Sequence, residues 1–392
     1  MNRRNFLFTT AAASARVLGA SDRIRAGIIG SGGRGRYLTG EFKELGAEMA
    51  AVCDVYEANL EAGLQVASTG ARSYDNYHRL LEDKSLDAVI IATPDHWHAR
   101  MVIDAVQAGK DVYVEKPMAH TIPEGFAIID AVRATRRVVQ VGTQRRSAEL
   151  FLAAKGIMDS GQLGEIRLVT SQWLNHQNGL FARPLKGKLD WNQWLGSAPR
   201  REMDPLRFFN WYYFWDYSGG LLVGQAAHIV DCIQWFMNSK QPAAVTCTGT
   251  KPNLAHAEVP ETATIAIEYP EDYLATFTLG YKAMRYNAFN DQIKQFHGSK
   301  ARFDVGREWY SLYPESSAIE MKPSIEQSKP GSFNAAARAH IRNFLECIRT
   351  RKDPNAPVEA GQATTIVLCM ALDSLRQGRR LKWNAVARRV ET

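Results

Sequence analysis

The chain has 392 residues, of which 45% are hydrophobic and 23% charged, an ordinary globular composition with enough length for roughly two domains. A formal net charge of +7 does not make it a nucleic-acid binder. Residues 1–25 alone hold Arg3, Arg4, Arg16, Arg23 and Arg25 against Asp22, and the later runs Arg379-Arg380-Leu381-Lys382 and Arg388-Arg389 read as a solvated helix end and tail.

In chain order, Met1-Asn2-Arg3-Arg4-Asn5-Phe6-Leu7 and the Ala-rich stretch to Ala20 resemble a twin-arginine export signal. Residues 1–21 are therefore expected to stand outside the fold, with the twin-arginine machinery as a partner and a periplasmic or otherwise exported location. A plain N-terminal tail would instead leave the protein cytoplasmic. No later apolar run is long enough to span a bilayer.

Ile24 to Ile29 reads as a short apolar strand that runs into Gly30-Ser31-Gly32-Gly33-Arg34-Gly35. A helical stretch from Tyr37 to Leu45 follows, then a second strand from Glu48 to Cys53 that ends at Asp54. This is a βαβ unit with GxGxxG at Gly30, Gly32 and Gly35 and an acid nineteen residues after the last glycine. The first glycine makes the tight turn, the second lets backbone approach a pyrophosphate, and the third lets helix and strand pack closely. Free N–H groups at the helix start then face the phosphates, with Ser31 and Gly33 in the same loop and Arg34 in reach. Asp54 is expected to bind the adenosine ribose hydroxyls. No arginine follows it to offset a 2′-phosphate, so NAD is expected rather than NADP.

Strands and helices continue to alternate: Asp87 to Ala92, Ala99 to Ala108, Asp111 to Val114, Ile122 to Thr135 and Val138 to Val141. The pattern is that of a doubly wound parallel sheet, a Rossmann domain over residues 22–145. Ligands of such sheets sit outside the carboxyl ends of the strands, near the reversal of strand order, and Val114-Glu115-Lys116-Pro117 puts a lysine there. Crowding and desolvation can lower a lysine pKa from about 10.4 toward the working pH, which suits Lys116 to acid/base work.

After Gly142 the period changes. Ile166 to Leu174, Ala244 to Gly249, Thr262 to Tyr269, Tyr273 to Gly280 and Ile293 to His297 read as strands, several of them alternating, so the sheet is expected to be antiparallel with one wet face. An aromatic-rich insertion, Asp190 to Tyr217, interrupts them; Tyr213 within it is a candidate to line a sugar pocket, and a packed insertion or oligomer contact is the alternative. Helical periodicity returns at Ala335 to Arg349 and Ala360 to Gln377, with Gly378 as a stop. Residues 146–392 are expected to form an α+β substrate and oligomerisation domain whose C-terminal helices pack back on the first. An exposed sheet face makes a homo-oligomer the expected assembly.

Cys53, Cys232, Cys247, Cys347 and Cys369 are scattered with no CxxC, and neither a disulfide framework nor a zinc site is expected. His96 and His98 also lack acidic or thiol partners at ligand spacing, so no metal is expected there.

Together, Gly30 to Gly35, Asp54, Thr93-Pro94-Asp95-His96-Trp97-His98 and Glu115-Lys116-Pro117 resemble the Gfo/Idh/MocA oxidoreductases, and the resemblance spans nearly all of residues 22–385. It implies an open antiparallel sheet domain and sugar, inositol or related polyol substrates. It places Lys116 against the reacting hydroxyl and the nicotinamide ribose, Thr93 and Pro94 near the nucleotide, and His98 on the nicotinamide side, with Trp97 able to cover the ring. Glu115 is expected along the cofactor, and Gln144 and Arg145 near nicotinamide and substrate. The stretch Ser218 to Asp231 is similar to the family segment GG-x-x-x-D-x-G-x-H-x-x-D. His228 matches the histidine and Asp231 the trailing aspartate, but Gly224 stands where the family has aspartate and Ala226 where it has glycine. Proton transfer then falls to Lys116 and His228. Gln225 can hydrogen-bond a hydroxyl but cannot act as a base, and Asp231, one helical turn on, can orient His228.

Three functions compete on this reading. One is an NAD-dependent sugar or polyol dehydrogenase. Another is an NAD-dependent glycoside-cleaving enzyme that oxidises, eliminates, adds water and reduces, with its nucleotide held tightly and recycled, as export would favour. The last is a non-catalytic sugar or nucleotide sensor, against which the presence of both Lys116 and His228 argues.

Overall fold

The computed structural model describes residues 23–391, and the twin-arginine-like segment lies outside them. Strand β1 (Arg25–Ile29), helix α1 (Gly33–Glu44), β2 (Glu48–Cys53), α2 (Glu57–Val66), β3 (Arg72–Tyr74), α3 (Tyr77–Leu81), β4 (Ala88–Ile91), α4 (Asp95–Gln107), β5 (Asp111–Val114), α5 (Ile122–Thr135) and β6 (Val139–Val141) form the first domain. Apart from the exposed edge strand β3, the strands are short and mostly apolar and buried; in β4 all four residues are fully buried, as suits a parallel sheet covered by helices on each side. Six strands pair in parallel in the order β3-β2-β1-β4-β5-β6, so strand order reverses between β1 and β4.

Helix α1 starts at Gly33 rather than Tyr37, and α4 at Asp95 rather than Ala99. Their first turns carry glycine, arginine and histidine rather than apolar residues, so periodicity under-reads them. Gly33, Arg34 and Asp95 to His98 therefore occupy helix starts, where backbone N–H groups have no intrahelical partner.

Gly30 has φ of 86°, and a Cβ there would lie 2.8 Å from the Ala92 carbonyl oxygen. A Cβ on Gly35 would collide with the Gly30 carbonyl, whereas one on Gly33 would meet nothing. Gly30 and Gly35 are thus required by the protein's own packing. Gly33 and its neighbour Gly32 leave free space facing outward.

The second domain begins with a 3-10 turn, Gln144–Ser147, then α6 (Glu149–Asp159), β7 (Ile166–Leu174), α7 (Trp191–Leu195), α8 (Pro205–Phe209), a further 3-10 turn, Trp211–Tyr213, and α9 (Gly220–Phe236). It continues with β8 (Ala244–Gly249), β9 (Thr262–Tyr269), β10 (Tyr273–Gly280), β11 (Gln292–Gly298), β12 (Ala301–Val305), β13 (Trp309–Pro314), β14 (Ile325–Ser328), α10 (Ser332–Thr350), α11 (Val358–Gln377), β15 (Leu381–Asn384) and β16 (Arg389–Val390). Ten strands form one sheet in the order β14-β13-β12-β11-β7-β10-β9-β8-β15-β16, with β7 and β10 parallel and the other named pairs antiparallel. The protein is an α/β Rossmann domain joined to an α+β domain with a mostly antiparallel sheet.

In β9, Ala263, Ile265, Ile267 and Tyr269 are buried while Thr264 and Ala266 are half-exposed. The inner residues share a core with Ile229 and Ile233 of α9 and Ile366 and Met370 of α11. Strands β12 and β13 escape a search for alternation because they are buried almost throughout. Helix α10 packs on the first domain, where Ile341 and Phe344 join the core of Phe42 and Tyr113, and Arg338 bridges Glu41 and Glu44 of α1. Gly378 ends α11 in the left-handed conformation with φ of 65°. Among the described residues no helix is long and apolar enough to cross a membrane.

The glycine geometry makes a paired expectation. Gly35→Ala should destabilise the nucleotide-free protein by about 1–3 kcal/mol through forced overpacking, whereas Gly33→Ala should stay within about 0.5 kcal/mol of the parent, as for an unobstructed surface change. Urea unfolding followed by circular dichroism measures both.

Candidate active site

At the strand reversal lies a cavity of about 260 Å³. Gly30, Gly32, Gly33, Asp54, Thr93, Pro94 and Trp97 line it from the first domain, and Trp194, Phe208, Phe209 and Trp211 line it from the insertion. The space in front of Gly32 and Gly33, together with the free helix start, fits the backbone cradle that a dinucleotide pyrophosphate needs.

Asp54 binds the loop from below. One carboxylate oxygen accepts from the Ser31 N–H at 2.8 Å and the Ser31 hydroxyl at 3.3 Å, and the other accepts from the Tyr56 N–H at 2.9 Å. Burial pushes its pKa up and these donors pull it back. With roughly four acceptor positions on a carboxylate, Asp54 keeps limited capacity toward a ribose. Ser31 is fully buried, and its hydroxyl also donates to the Asn59 carbonyl at 2.8 Å, so its side chain braces the loop and does not face the cavity.

The insertion forms the opposite wall. Trp194, Leu195, Phe208, Phe214 and Tyr217 cluster on Tyr56, just after Asp54. Main-chain bonds tie the preceding segment to the same place: Glu57 N–H donates to the Lys188 carbonyl at 2.8 Å and Asp190 N–H to the Val55 carbonyl at 2.9 Å. Trp97 donates its indole N–H to the Trp194 carbonyl at 2.8 Å, locking α4 to this wall.

At the carboxyl end of β5, Glu115 pairs with Arg34 at 2.7 Å. Arg34 was expected to reach a phosphate, but the buried Glu115 carboxylate beside it holds it. Burial opposes the guanidinium charge, but Glu115, with Tyr113 and Tyr37, acts the other way and the net effect raises the pKa of Arg34. Lys116 extends across the domain boundary and donates from Nζ to the Gly224 carbonyl at 3.0 Å. Burial lowers its pKa from 10.5, with Glu115 and Asp95 acting the other way.

His98 departs from its expected place beside the nicotinamide. It is 1% exposed, with Nδ1 2.7 Å from the Pro117 carbonyl and Nε2 2.9 Å from the Thr93 carbonyl. It clamps the Lys116-Pro117 turn to the end of β4. His96 is also buried, with its pKa lowered to about 4 by burial.

Helix α9 supplies the other half. Gly224, His228 and Asp231 recur at helical spacing and share the side facing the first domain. His228 is buried with Nδ1 lacking a partner, and its ring lies 6.2 Å from that of Trp173. Burial, then the charges of Lys116 and Arg145, push its pKa well below 6.5, so it is neutral near neutral pH. Gln225 donates to the Tyr281 hydroxyl at 2.8 Å, which leaves the amide carbonyl for a ligand.

Asp231 does not orient His228. Both of its oxygens accept from Arg146 Nε, at 2.8 and 3.0 Å, in an ion pair whose side chains are 12% and 1% exposed. Sequence spacing could not show that the second arginine of Gln144-Arg145-Arg146 would take this acid. Arg145 lies beneath the site, 1% exposed, bonded to Gln292 and placed over the Phe151 and Trp173 rings. Gln144 opens instead on a hollow shared with Arg34, Tyr37 and Phe333. Tyr213 also departs from expectation: it belongs to the hydrophobic core of the second domain, and burial pushes its pKa up to about 12.

Two groups at the site carry no signal in the linear sequence. A Cβ on Gly224 would coincide with the Tyr212 hydroxyl, so Tyr212 fills the position of the absent side chain. Asp95, 2% exposed, accepts from the Ser218 hydroxyl at 2.6 Å and acts electrostatically on both Lys116 and Tyr212.

Comparison with known proteins gives the family and the fold. Residues 24–143 match the family described as "Oxidoreductase family, NAD-binding Rossmann fold" and residues 155–383 its "C-terminal alpha/beta domain". A stretch of 157 residues is 34% identical to the inositol 2-dehydrogenase of Salmonella typhimurium, taking in 39% of this chain and 46% of that enzyme, so the match spans about half of that relative. Over 342 residues the chain is 32% identical to the scyllo-inositol 2-dehydrogenase (NAD(+)) of Bacillus subtilis, covering 85% of this chain and 88% of the other. The WlbA dehydrogenase from Bordetella pertussis, solved with NADH and UDP-GlcNAcA, has a similar fold, with a TM-score of 0.70 and 21% identity over 92% of this chain and 98% of its own.

The Arg146–Asp231 pair gives a direct test of what holds α9 against the turn after β6. Asp231→Asn leaves a buried guanidinium without its carboxylate and should cost about 3–5 kcal/mol of stability, read as a lowered urea midpoint with an unchanged slope.

Proposed function

The chain belongs to the Gfo/Idh/MocA oxidoreductase family, and from that premise we propose that it is an NAD-dependent dehydrogenase that oxidises a hydroxyl of a sugar, sugar derivative or polyol, with Lys116 and His228 handling the hydroxyl proton. The observation that carries this reading is the convergence of Lys116 Nζ on Gly224, one turn before His228, with both groups desolvated. When bound, NAD supplies a hydride acceptor. Gly32, Gly33, Thr93 and Pro94 would hold it, with Asp54 toward the ribose.

In the oxidation direction the neutral amine of Lys116 accepts the hydroxyl proton. His228, neutral and with Nδ1 free, binds the same or a neighbouring hydroxyl and can pass a proton onward. Gln225 offers its carbonyl to a second hydroxyl, which fits a polyhydroxylated substrate. The outer face of β9 and β10, with Thr264, Thr276 and Thr278, is the surface for a homo-oligomer.

One feature also favours a cycle that oxidises a glycoside, eliminates, adds water and reduces on the same nucleotide. The aromatic wall and its main-chain ties enclose the cleft, which suits a retained cofactor. Retention in turn fits export of the folded, loaded protein by the twin-arginine route.

Protein purified without added nucleotide and then denatured should release NAD, identified by mass. Free sugars and polyols should then drive net NADH accumulation, measured by absorbance. Cleavage of aryl glycosides with no net NADH and with solvent deuterium at a sugar carbon would replace the dehydrogenase reading by the cyclic one.

The pH dependence has a definite sign. Oxidation requires Lys116 without its extra proton, so kcat/KM should rise with pH to a plateau through a midpoint below 10.5, the ordinary lysine value. Lys116→Ala should remove this limb and lower kcat by about 10² to 10⁴.

A further inference from the structure

We propose that Tyr212 is a catalytic residue: its phenolic hydroxyl hydrogen-bonds the substrate oxygen from which Lys116 removes the proton. This rests on the functional reading above and adds to it a group that comes from a different part of the chain.

The argument begins at Gly224. Its carbonyl accepts from Lys116 Nζ at 3.0 Å, and its missing side chain leaves a space on the face that carries His228 one turn later. The Tyr212 hydroxyl lies where that Cβ would be. A phenol, an amine and an imidazole thus converge on one turn of helix. Every side chain larger than hydrogen at position 224 would have to displace the phenol.

The placement of Tyr212 is built. It sits in the 3-10 turn Trp211–Tyr213, between Tyr213, which is buried in the second core, and Asn210, whose side-chain N–H donates to the Leu206 and Phe181 carbonyls. The ring meets those of Trp211 and Tyr213 edge-on at 5.4 and 5.9 Å. Tyr212 itself is only half-buried, unlike Tyr213.

Its chemistry follows from its surroundings. Burial, followed by Asp95, pushes the phenol pKa well above 10, so it keeps its proton at neutral pH. It therefore acts as a donor and not as a base. As the substrate O–H bond breaks and its proton passes to the Lys116 nitrogen, negative charge grows on the oxygen, and the phenol stabilises it without giving up its own proton.

Three variants test the idea. Tyr212→Phe keeps the ring and should lower kcat by about 10² to 10³, as for loss of one preorganised donor. KM should change only a few-fold, nucleotide affinity should not change, and the Lys116 limb of the pH profile should persist. Gly224→Ala puts a methyl group where the hydroxyl lies and should reproduce the loss, and the two changes together should cost little more than either alone. A readout independent of turnover comes from stability: Gly224→Ala should lower Tm when Tyr212 is present but not in a Tyr212→Ala background.

A wild type that oxidises none of the sugars and polyols offered overturns the functional reading and this inference with it. An active wild type matched by Tyr212→Phe in kcat and pH profile overturns the inference alone. So does a Gly224→Ala stability loss of equal size with and without Tyr212.

Discussion

Everything at the site depends on the reversal of strand order between β1 and β4. Parallel strands leaving that point in opposite directions part the helices above their carboxyl ends, and the crevice so opened is lined by Gly32, Gly33, Asp54 and Thr93, with Lys116 just past the end of the neighbouring strand β5. Helix α9 brings Gly224, and His228 one turn later, against Lys116 from the second domain. The requirement that α1 cross close above β1 also explains Gly35, whose missing side chain allows the Gly30 carbonyl to pass.

Buried charges then fix which parts of the chain meet. Arg34 with Glu115 ties α1 to the end of β5, and Arg146 with Asp231 ties the 3-10 turn after β6 to α9. The Arg146–Asp231 pair is the deeply buried one, costly to bury and costlier to break, whereas Arg34 keeps 37% of its side chain exposed. Burial, followed by the positive charges of Lys116, Arg145, Arg34 and Arg307, holds the pKa of His228 down. The same frame that positions the groups sets their protonation.

The sequence was legible where the governing physics is local. GxGxxG followed by a helix and an acid reports a steric demand within a few residues, and Glu115-Lys116-Pro117 at the end of a parallel strand reports position directly. Helices α10 and α11 were legible from apolar period and from Gly378. It was less legible where partners are chosen across the chain. Arg34 takes Glu115 81 residues away, and Arg146 takes Asp231 85 residues away, choices that spacing does not encode. Tyr212 was hidden because its neighbour Tyr213 has the same side chain and a different environment. The glycine at 224 was visible as a departure, but not what filled its place. Strands β12 and β13 were missed because full burial erases the alternation that marks a half-exposed strand.

The segment 186–190 is bonded through its main chain to Val55 and Glu57, just after Asp54. Together with the aromatic cluster on Tyr56, these bonds fasten the insertion beside the nucleotide cleft, so opening of that wall would be a local unfolding event that a bound dinucleotide opposes. If Tyr212 acts on the substrate as proposed, residence time and chemistry would be coupled in one stretch of chain.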